Sequence, residues 1–474
     1  MEFENFSIAI DNKKLIKDFN GHFANGETTV IVGPNGCGKS TFAHGVMGRN
    51  DITVDGKLLL NDKNILELET DERAQAGIFV SWQTPPEYLL ILGKAVSYNQ
   101  YRLSNTEFDN CLVPTHGHRA SDTQLLCRND VSFVPQVAVG RIPARVPSDI
   151  KNYLDKVIQH ETPVTCSFED RTWRKRAIHI AGGSDIEEAE LFLSYLNNYK
   201  AMFEDSIFAG DVVFTYTKAN DEVVELPDLD ILVNDGVGII NFVGHGAGLY
   251  WDVDMGPPTD YQNTGKYPFI FSSSCYVGNI HENSNFPSMA EDYILAEQLG
   301  AIGFIGTIGL GYPTFLNLYM SSFYEKFCKN DYNVPIGKHI KNIGDDWYQE
   351  DETNKSFRYV YQTFVLTCDP AVVINSWDNP EYTLLNDDVF FEPQEVTANI
   401  DSFSINAVVT NLGRAVSDSF NIQVMRTYPD GTSNIAALER FATPTYVDTF
   451  QIFIQTKNDT AEITGDNSFE IKID

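Results

Sequence analysis

Between residues 87 and 380 the chain repeats one pattern: a short apolar run, a longer helical stretch, then another apolar run. The runs are Tyr88–Leu92, Val137–Gly140, Ala177–Ala181, Gly238–Val243, Phe269–Ser272 and Ala301–Ile305. Helix candidates fall at Pro147–His160, Ile186–Phe203 and Ser288–Gln298, the first capped by Ser148 or Asp149 beside Pro147. Runs that are apolar throughout suit strands buried on both faces, so the pattern predicts an α/β region with a parallel sheet covered by helices. Residues 381–474 read differently. Short alternating strands at Thr397–Ile400, Ser404–Thr410 and Phe420–Val424, followed by the turn Pro429-Asp430-Gly431, predict a β-sandwich. Three segments result: 1–86, 87–380 and 381–474.

Charge excludes some functions. The chain has 34 Lys and Arg against 66 Asp and Glu, a net charge of −32, which disfavours nucleic acid or anionic lipid as a partner. No apolar run reaches the roughly 20 residues that span a bilayer, and Met1-Glu2-Phe3-Glu4 does not open a signal peptide. The 7 cysteines are scattered without a CxxC pair, so they indicate neither a zinc ribbon nor a redox dithiol.

Gly33 to Thr41 fits GxxxxGK[ST] after the strand-like Thr28–Val32 and before a helix-like stretch. In such a loop Gly33, Asn35, Gly36 and Gly38 let backbone N–H groups face a phosphate. Lys39 reaches the outer phosphates, and Ser40 with Thr41 stands at the magnesium side. Together with Gly48–Gly56 and Asp71–Phe79, this segment resembles ABC-transporter ATPases, in particular the Suf-system iron–sulfur assembly ATPase. The resemblance implies ATP and magnesium as ligands, Gln83 as the Q-loop glutamine, and a remnant interface to an ABC or Suf partner. It stops near residue 85. No signature motif, Walker B or switch histidine follows, so ATP turnover is not expected.

Two residues in the middle segment suggest other chemistry. Gly238–Val243 leads into Gly244-His245-Gly246, and Tyr267–Ser274 leads into Cys275. In an open α/β sheet, sites form beyond the carboxyl ends of strands. If these two strands are neighbours, His245 and Cys275 face each other as base and thiol nucleophile. Gly246 would allow close backbone approach and offer an N–H to an oxyanion.

Several segments in order resemble the gingipain-type cysteine peptidases, which share a caspase-like fold. They are Tyr88–Gly93, Ala120–Thr123, Val137–Arg145, Asn241–Gly246 with Trp251, Phe271–Cys275, Ser288–Glu291 through Gly300–Gly306, and Thr367–Ala371 with Cys368 where the family has Gly. The resemblance implies an endopeptidase that needs no cofactor and takes a polypeptide substrate. Cys275 is then the nucleophile, His245 the general base and acid, and the Gly246 and Cys275 N–H groups the oxyanion hole. Asp122 or Asp130 would orient His245 or line a pocket for Arg or Lys. Calcium binding is also implied as an option, although no EF-hand spacing is present. The tail resembles adhesion-like modules of secreted peptidases. The middle segment thus implies a secreted or cell-surface setting, whereas the front segment implies cytoplasm. The two resemblances meet near Trp82–Glu87, and the chain reads as a chimera. The rival readings are a truncated ATP-binding protein of iron–sulfur assembly and an inactive or transpeptidase relative of the peptidase.

Overall fold

The computed structural model describes all residues except 11–12, 25–30, 32–36, 50, 79–85, 105–106, 108, 118, 128–131, 163–167, 219, 221, 227, 285, 376, 398 and 457–464. The chain divides into two compact units, Met1–Pro86 and Glu87–Asp474. Among the described residues no helix is long and apolar enough to cross a membrane.

In the first unit, β1 (Glu2–Ile10) pairs antiparallel with both β2 (Lys13–His22) and β3 (Thr53–Leu60), and β3 with the short β4 (Lys63–Asn64). The helix Lys39–Met47 packs Phe42 and Val46 against Phe3, Phe6, Ile8 and Leu58 of the sheet. Arg73 is buried and donates to the carbonyls of Gly45, Val46, Leu66 and Leu68, so one guanidinium satisfies the end of that helix.

In the second unit, β5 (Tyr88–Leu92) pairs in parallel with β6 (Ala138–Ile142). A six-stranded sheet is built from β7 (Arg176–Ala181), β8 (Asp211–Thr217), β10 (Ile239–Val243), β12 (Phe269–Ser273), β13 (Gly303–Thr307) and β14 (Phe364–Thr367). The short β9 (Val224–Glu225) and β11 (Val253–Asp254) form a separate pair. The order is β14-β13-β12-β10-β7-β8, parallel throughout except for β14. Strands β10, β12 and β13 are buried at every position, which is why their sequences are apolar without alternation.

Two expectations need correction. The first two runs do not join the main sheet but form their own pair, because apolarity marks a buried strand without naming its neighbour. The helix Pro147–Glu161 is not capped by Ser148 or by Asp149 as the N-cap residue. Val146 is the N-cap, Pro147 opens the helix, and the Asp149 carboxylate reaches back to the N–H groups of Arg145 and Val146. That helix is tied to its neighbour Met289–Leu295 by the buried Lys156, whose Nζ lies 2.8–3.2 Å from the carbonyls of Tyr293, Ile294, Leu299 and Ala301.

The tail forms a sandwich. In one sheet β17 (Ser402–Asn411) pairs with β15 (Tyr382–Thr383), β16 (Val389–Glu392) and β20 (Val447–Gln455); the other has the order β19 (Ser433–Ala442), β18 (Ser419–Thr427), β21 (Ser468–Ile473). Alternate residues Phe403, Ile405, Ala407 and Val409 meet Ile422, Val424, Ile452 and Ile454 in its core. Thr397, Asn399 and Ile400 are not in a strand, and Ile400 N–H donates to the Thr397 carbonyl. Lys175 donates to Gly413 O at 2.5 Å, and Arg171 forms a two-pronged pair with Glu381 at 2.7 and 3.0 Å. These contacts join sandwich and sheet within one compact unit.

Candidate active site

The main sheet reverses its winding between β7 and β10, and the loops beyond their carboxyl ends diverge there. β10 pairs with β7 on one side and β12 on the other, with Val243 opposite both Ala181 and Ser273. His245 and Cys275 each stand two residues past that common level. The neighbouring-strand condition is therefore met, and the two residues share one rim.

Gly246 brings the two loops together. A Cβ there would lie 2.7 Å from Ser274 Oγ and 2.9 Å from the Cys275 carbonyl oxygen, so glycine alone permits the approach. The His245 loop folds back as a tight hairpin, with Asp252 N–H on the His245 carbonyl and Ala247 N–H on that of Tyr250. Trp251 anchors it: the indole is fully buried, stacks on Phe242 at 4.3 Å, and donates to Ser272 Oγ at 2.9 Å.

The carboxylate on His245 belongs to Glu188. His245 Nε2 lies 2.8 Å from Glu188 Oε2. A carboxylate only accepts, so Nε2 carries the proton and Nδ1 is left as the basic nitrogen. Glu188 sits in the first turn of the helix Ile186–Glu204, directly after β7, where Asp185 is the N-cap. Burial alone would raise its carboxyl. Hydrogen bonds from Ser184 Oγ and N–H, and from His245, outweigh that and bring it down to about 2. The Phe192 ring meets the imidazole edge-on at 6.1 Å. Asp252 supports the same turn, accepting from Gly183 N–H at 2.9 Å and from Lys218 Nζ at 3.0 Å.

Cys275 Sγ accepts from Gly311 N–H at 3.3 Å. Among the described residues His245 is hydrogen-bonded to Glu188 rather than to the thiol. The N–H groups of Gly246 and Cys275 have no acceptor among the described residues. Unpaired donors beside a nucleophile are what an oxyanion site requires. A crevice of about 180 Å³ is lined by Tyr276, the residue after Cys275, with Leu310, Tyr98, Asn279, Arg119 and Glu282 among others.

The other expected residues lie elsewhere. Asp122 does not orient His245. It is buried, paired with Arg141 at 2.7 and 2.8 Å and with His281 at 3.1 Å. Burial would raise its carboxyl, but His281 and Arg141 hold it well below the usual range. Asp122 thus neutralises Arg141, whose guanidinium also ties down the carbonyls of Gly93, Val113 and Pro114. Asp130 lies outside the described residues, as do Gly33, Asn35, Gly36 and Gln83. Gly38 takes φ +98° just before the helix that Lys39, Ser40 and Thr41 open. For calcium, no group of three or more His, Cys, Asp or Glu side chains converges among the described residues. Glu188 escaped sequence reasoning because an acidic residue in a helix's first turn reads as a capping residue. Its usable signal was its place directly after a strand of the sheet.

Comparison with known proteins agrees with both halves. Residues 72–375, more than half of the chain, match Peptidase family C25. The structure of the Arg-specific cysteine proteinase gingipain R superposes with a TM-score of 0.50 at 16% identity, covering 78% of this chain and 77% of that one. This shows the caspase-like fold shared with gingipains. In the front unit, a relative named "Probable ABC transporter ATP-binding protein" from Streptococcus pyogenes serotype M3 is 42% identical over 88 residues. Vegetative protein 296 of Bacillus subtilis is 39% identical over 88 residues. The chain spans 34% of the length of either of these relatives. With its rim of histidine and cysteine on a caspase-like sheet, the chain belongs to Peptidase family C25, the cysteine peptidases of gingipain type.

Proposed function

We propose that the chain cleaves internal peptide bonds of polypeptides through a thioester on Cys275, with His245 moving the proton and Glu188 orienting His245. The observation that supports this most is the delivery of Glu188, His245 and Cys275 by three adjacent strands to one rim, beside two N–H groups without acceptors among the described residues. The thiol proton passes to His245 Nδ1 as Sγ bonds to the scissile carbonyl carbon. The carbonyl oxygen, now negative, accepts from the N–H groups of Gly246 and Cys275. As the C–N bond breaks, His245 gives its proton to the leaving amine. Water then attacks the thioester, losing a proton to His245, and the acid leaves as Sγ departs. Glu188 stays ionised throughout, holding the ring with Nε2 protonated.

The test is hydrolysis of a denatured protein and of peptides carrying Arg, Lys or apolar residues before the cut. Cys275→Ala should remove turnover by several orders of magnitude while leaving the fold intact. Undiminished cleavage by Cys275→Ala would sink the reading. An added amine acceptor distinguishes hydrolysis from transpeptidation.

The front unit supports a lesser reading. Lys39 and Ser40 open a helix behind Gly38, as a phosphate loop requires, so this fragment would hold ATP with magnesium without turning it over. Equilibrium binding of a fluorescent ATP analogue, lost in Lys39→Ala, is the check.

A further inference from the structure

The turn that carries the nucleophile is held in an uncommon conformation. Tyr276, directly after Cys275, has φ +64°, in the left-handed region that non-glycine residues rarely adopt. Such a backbone persists only where its surroundings fix it. Here the end of β13 does so. Gly278 N–H donates to the Thr307 carbonyl at 2.9 Å, and Gly278 lies so close that a Cβ would be 2.5 Å from the Gly306 oxygen. Tyr276 N–H is shared between the Gly309 carbonyl at 3.1 Å and the Thr307 hydroxyl at 3.2 Å.

The Thr307 hydroxyl also makes the shortest contact in the cluster. It donates to the Ser274 carbonyl at 2.5 Å, with the Gly309 carbonyl 3.0 Å away as the other acceptor within reach. Thr307 is fully buried. One hydroxyl thus grips the peptide units on both sides of Cys275. The Ser274 carbonyl belongs to the same planar peptide as the Cys275 N–H, so fixing one end fixes the direction of the other. That N–H is a proposed oxyanion donor and has no acceptor among the described residues.

We infer that Thr307 is a positioning residue for peptide hydrolysis: its buried hydroxyl aims the Cys275 N–H at the developing oxyanion and fixes the turn that presents Sγ. The inference rests on the peptidase reading above. Because the oxyanion forms only in the transition state, loss of the hydroxyl lowers kcat and leaves KM nearly unchanged.

The test compares full-length wild type, Thr307→Val and Thr307→Ser. Valine keeps the shape and removes the hydroxyl; serine keeps the hydroxyl. Thr307→Val should lose roughly 10- to 100-fold in kcat, as expected for a misaligned oxyanion donor. Its Cys275 should still react with iodoacetamide, which needs no oxyanion site, at a rate that falls much less. Thr307→Ser should retain kcat within a few-fold. An unchanged kcat in folded Thr307→Val overturns the inference, as does a loss in Thr307→Ser equal to that in Thr307→Val. If the valine variant does not fold, a loss of roughly 10-fold or more in kcat for folded Thr307→Ser, which keeps the hydroxyl, overturns the inference. If wild type cleaves no polypeptide at all, the peptidase reading itself fails and takes this inference with it; an active wild type confines failure to Thr307.

Discussion

At His245 the hydrogen bond to Glu188 distinguishes the two ring nitrogens, and under the proposed mechanism each has its own duty. Replacing Glu188 with Gln keeps the size but lets the amide present either a donor or an acceptor to Nε2. The imidazole then loses its fixed tautomer. Glu188→Gln should lower kcat roughly 10- to 100-fold, the usual cost of losing an orienting partner, with KM little changed in steady-state kinetics. Asp122 makes the opposite prediction. Breaking its buried pair with Arg141 should cost about 3–5 kcal/mol of stability in Asp122→Asn, measured by denaturant unfolding, while the folded fraction keeps its kcat. Asp122 is held below its ordinary value of 3.8 in the folded state. Its contribution is therefore fully present above the unfolded value and is lost as pH falls through the folded one. The stability gap between wild type and Asp122→Asn should close only in strong acid. At this scale the sequence showed His245 and Cys275, because both follow apolar strands at the end where an open sheet forms its sites. It did not show Glu188, since a carboxylate in a helix's first turn already has a role in stabilising the helix itself.

The elements explain how the site is assembled from short loops. β10 and β12 are in register, so their loops leave the sheet at one level, and Gly246 sets how closely they approach. A methyl group at Gly246 would have to displace Ser274 Oγ and the Cys275 carbonyl. Gly246→Ala should therefore cost roughly 100-fold in kcat/KM, since misplacement of about 1 Å can carry that cost, with a far smaller effect on thermal unfolding. Substrate hydrolysis and calorimetry on the same sample check both halves. Strands β7, β10, β12 and β13 of the main sheet were legible because burial on both faces leaves uninterrupted apolar runs. Their partners were not. β5 and β6 look like members of the main sheet by composition and yet pair only with each other. Two strands of the main sheet were missed: β8, a half-exposed edge strand without an uninterrupted apolar run, and β14, four residues long and continuous with the helix Lys355–Thr363 before it. Alternation in the tail identified the sandwich, and the clearest turn signal, Pro429-Asp430-Gly431, does connect two of its strands.

As a whole, the chain joins a segment similar to ABC ATP-binding proteins to a region of Peptidase family C25, and the sequence marked the junction through a change of motif near Trp82–Glu87. The structure divides between Pro86 and Glu87. The second unit holds its own sheet, its own core and all of Glu188, His245, Cys275 and Thr307. A chain beginning at Glu87 should therefore fold cooperatively and cleave polypeptide with the kcat/KM of the full chain; parallel assays of the two would show this, and a collapse of activity in the shorter chain would refute it. What no composition or charge argument could supply is the nucleophile's state, which depends on distances between residues far apart in sequence. The most direct measurement is to treat the full chain with a peptide-based thiol-directed electrophile and map the adduct by mass spectrometry, with His245→Ala alongside. Selective labelling of Cys275 that is largely lost in His245→Ala is the predicted result. Labelling spread evenly over the cysteines, or a Cys275 adduct formed equally fast without His245, would contradict it.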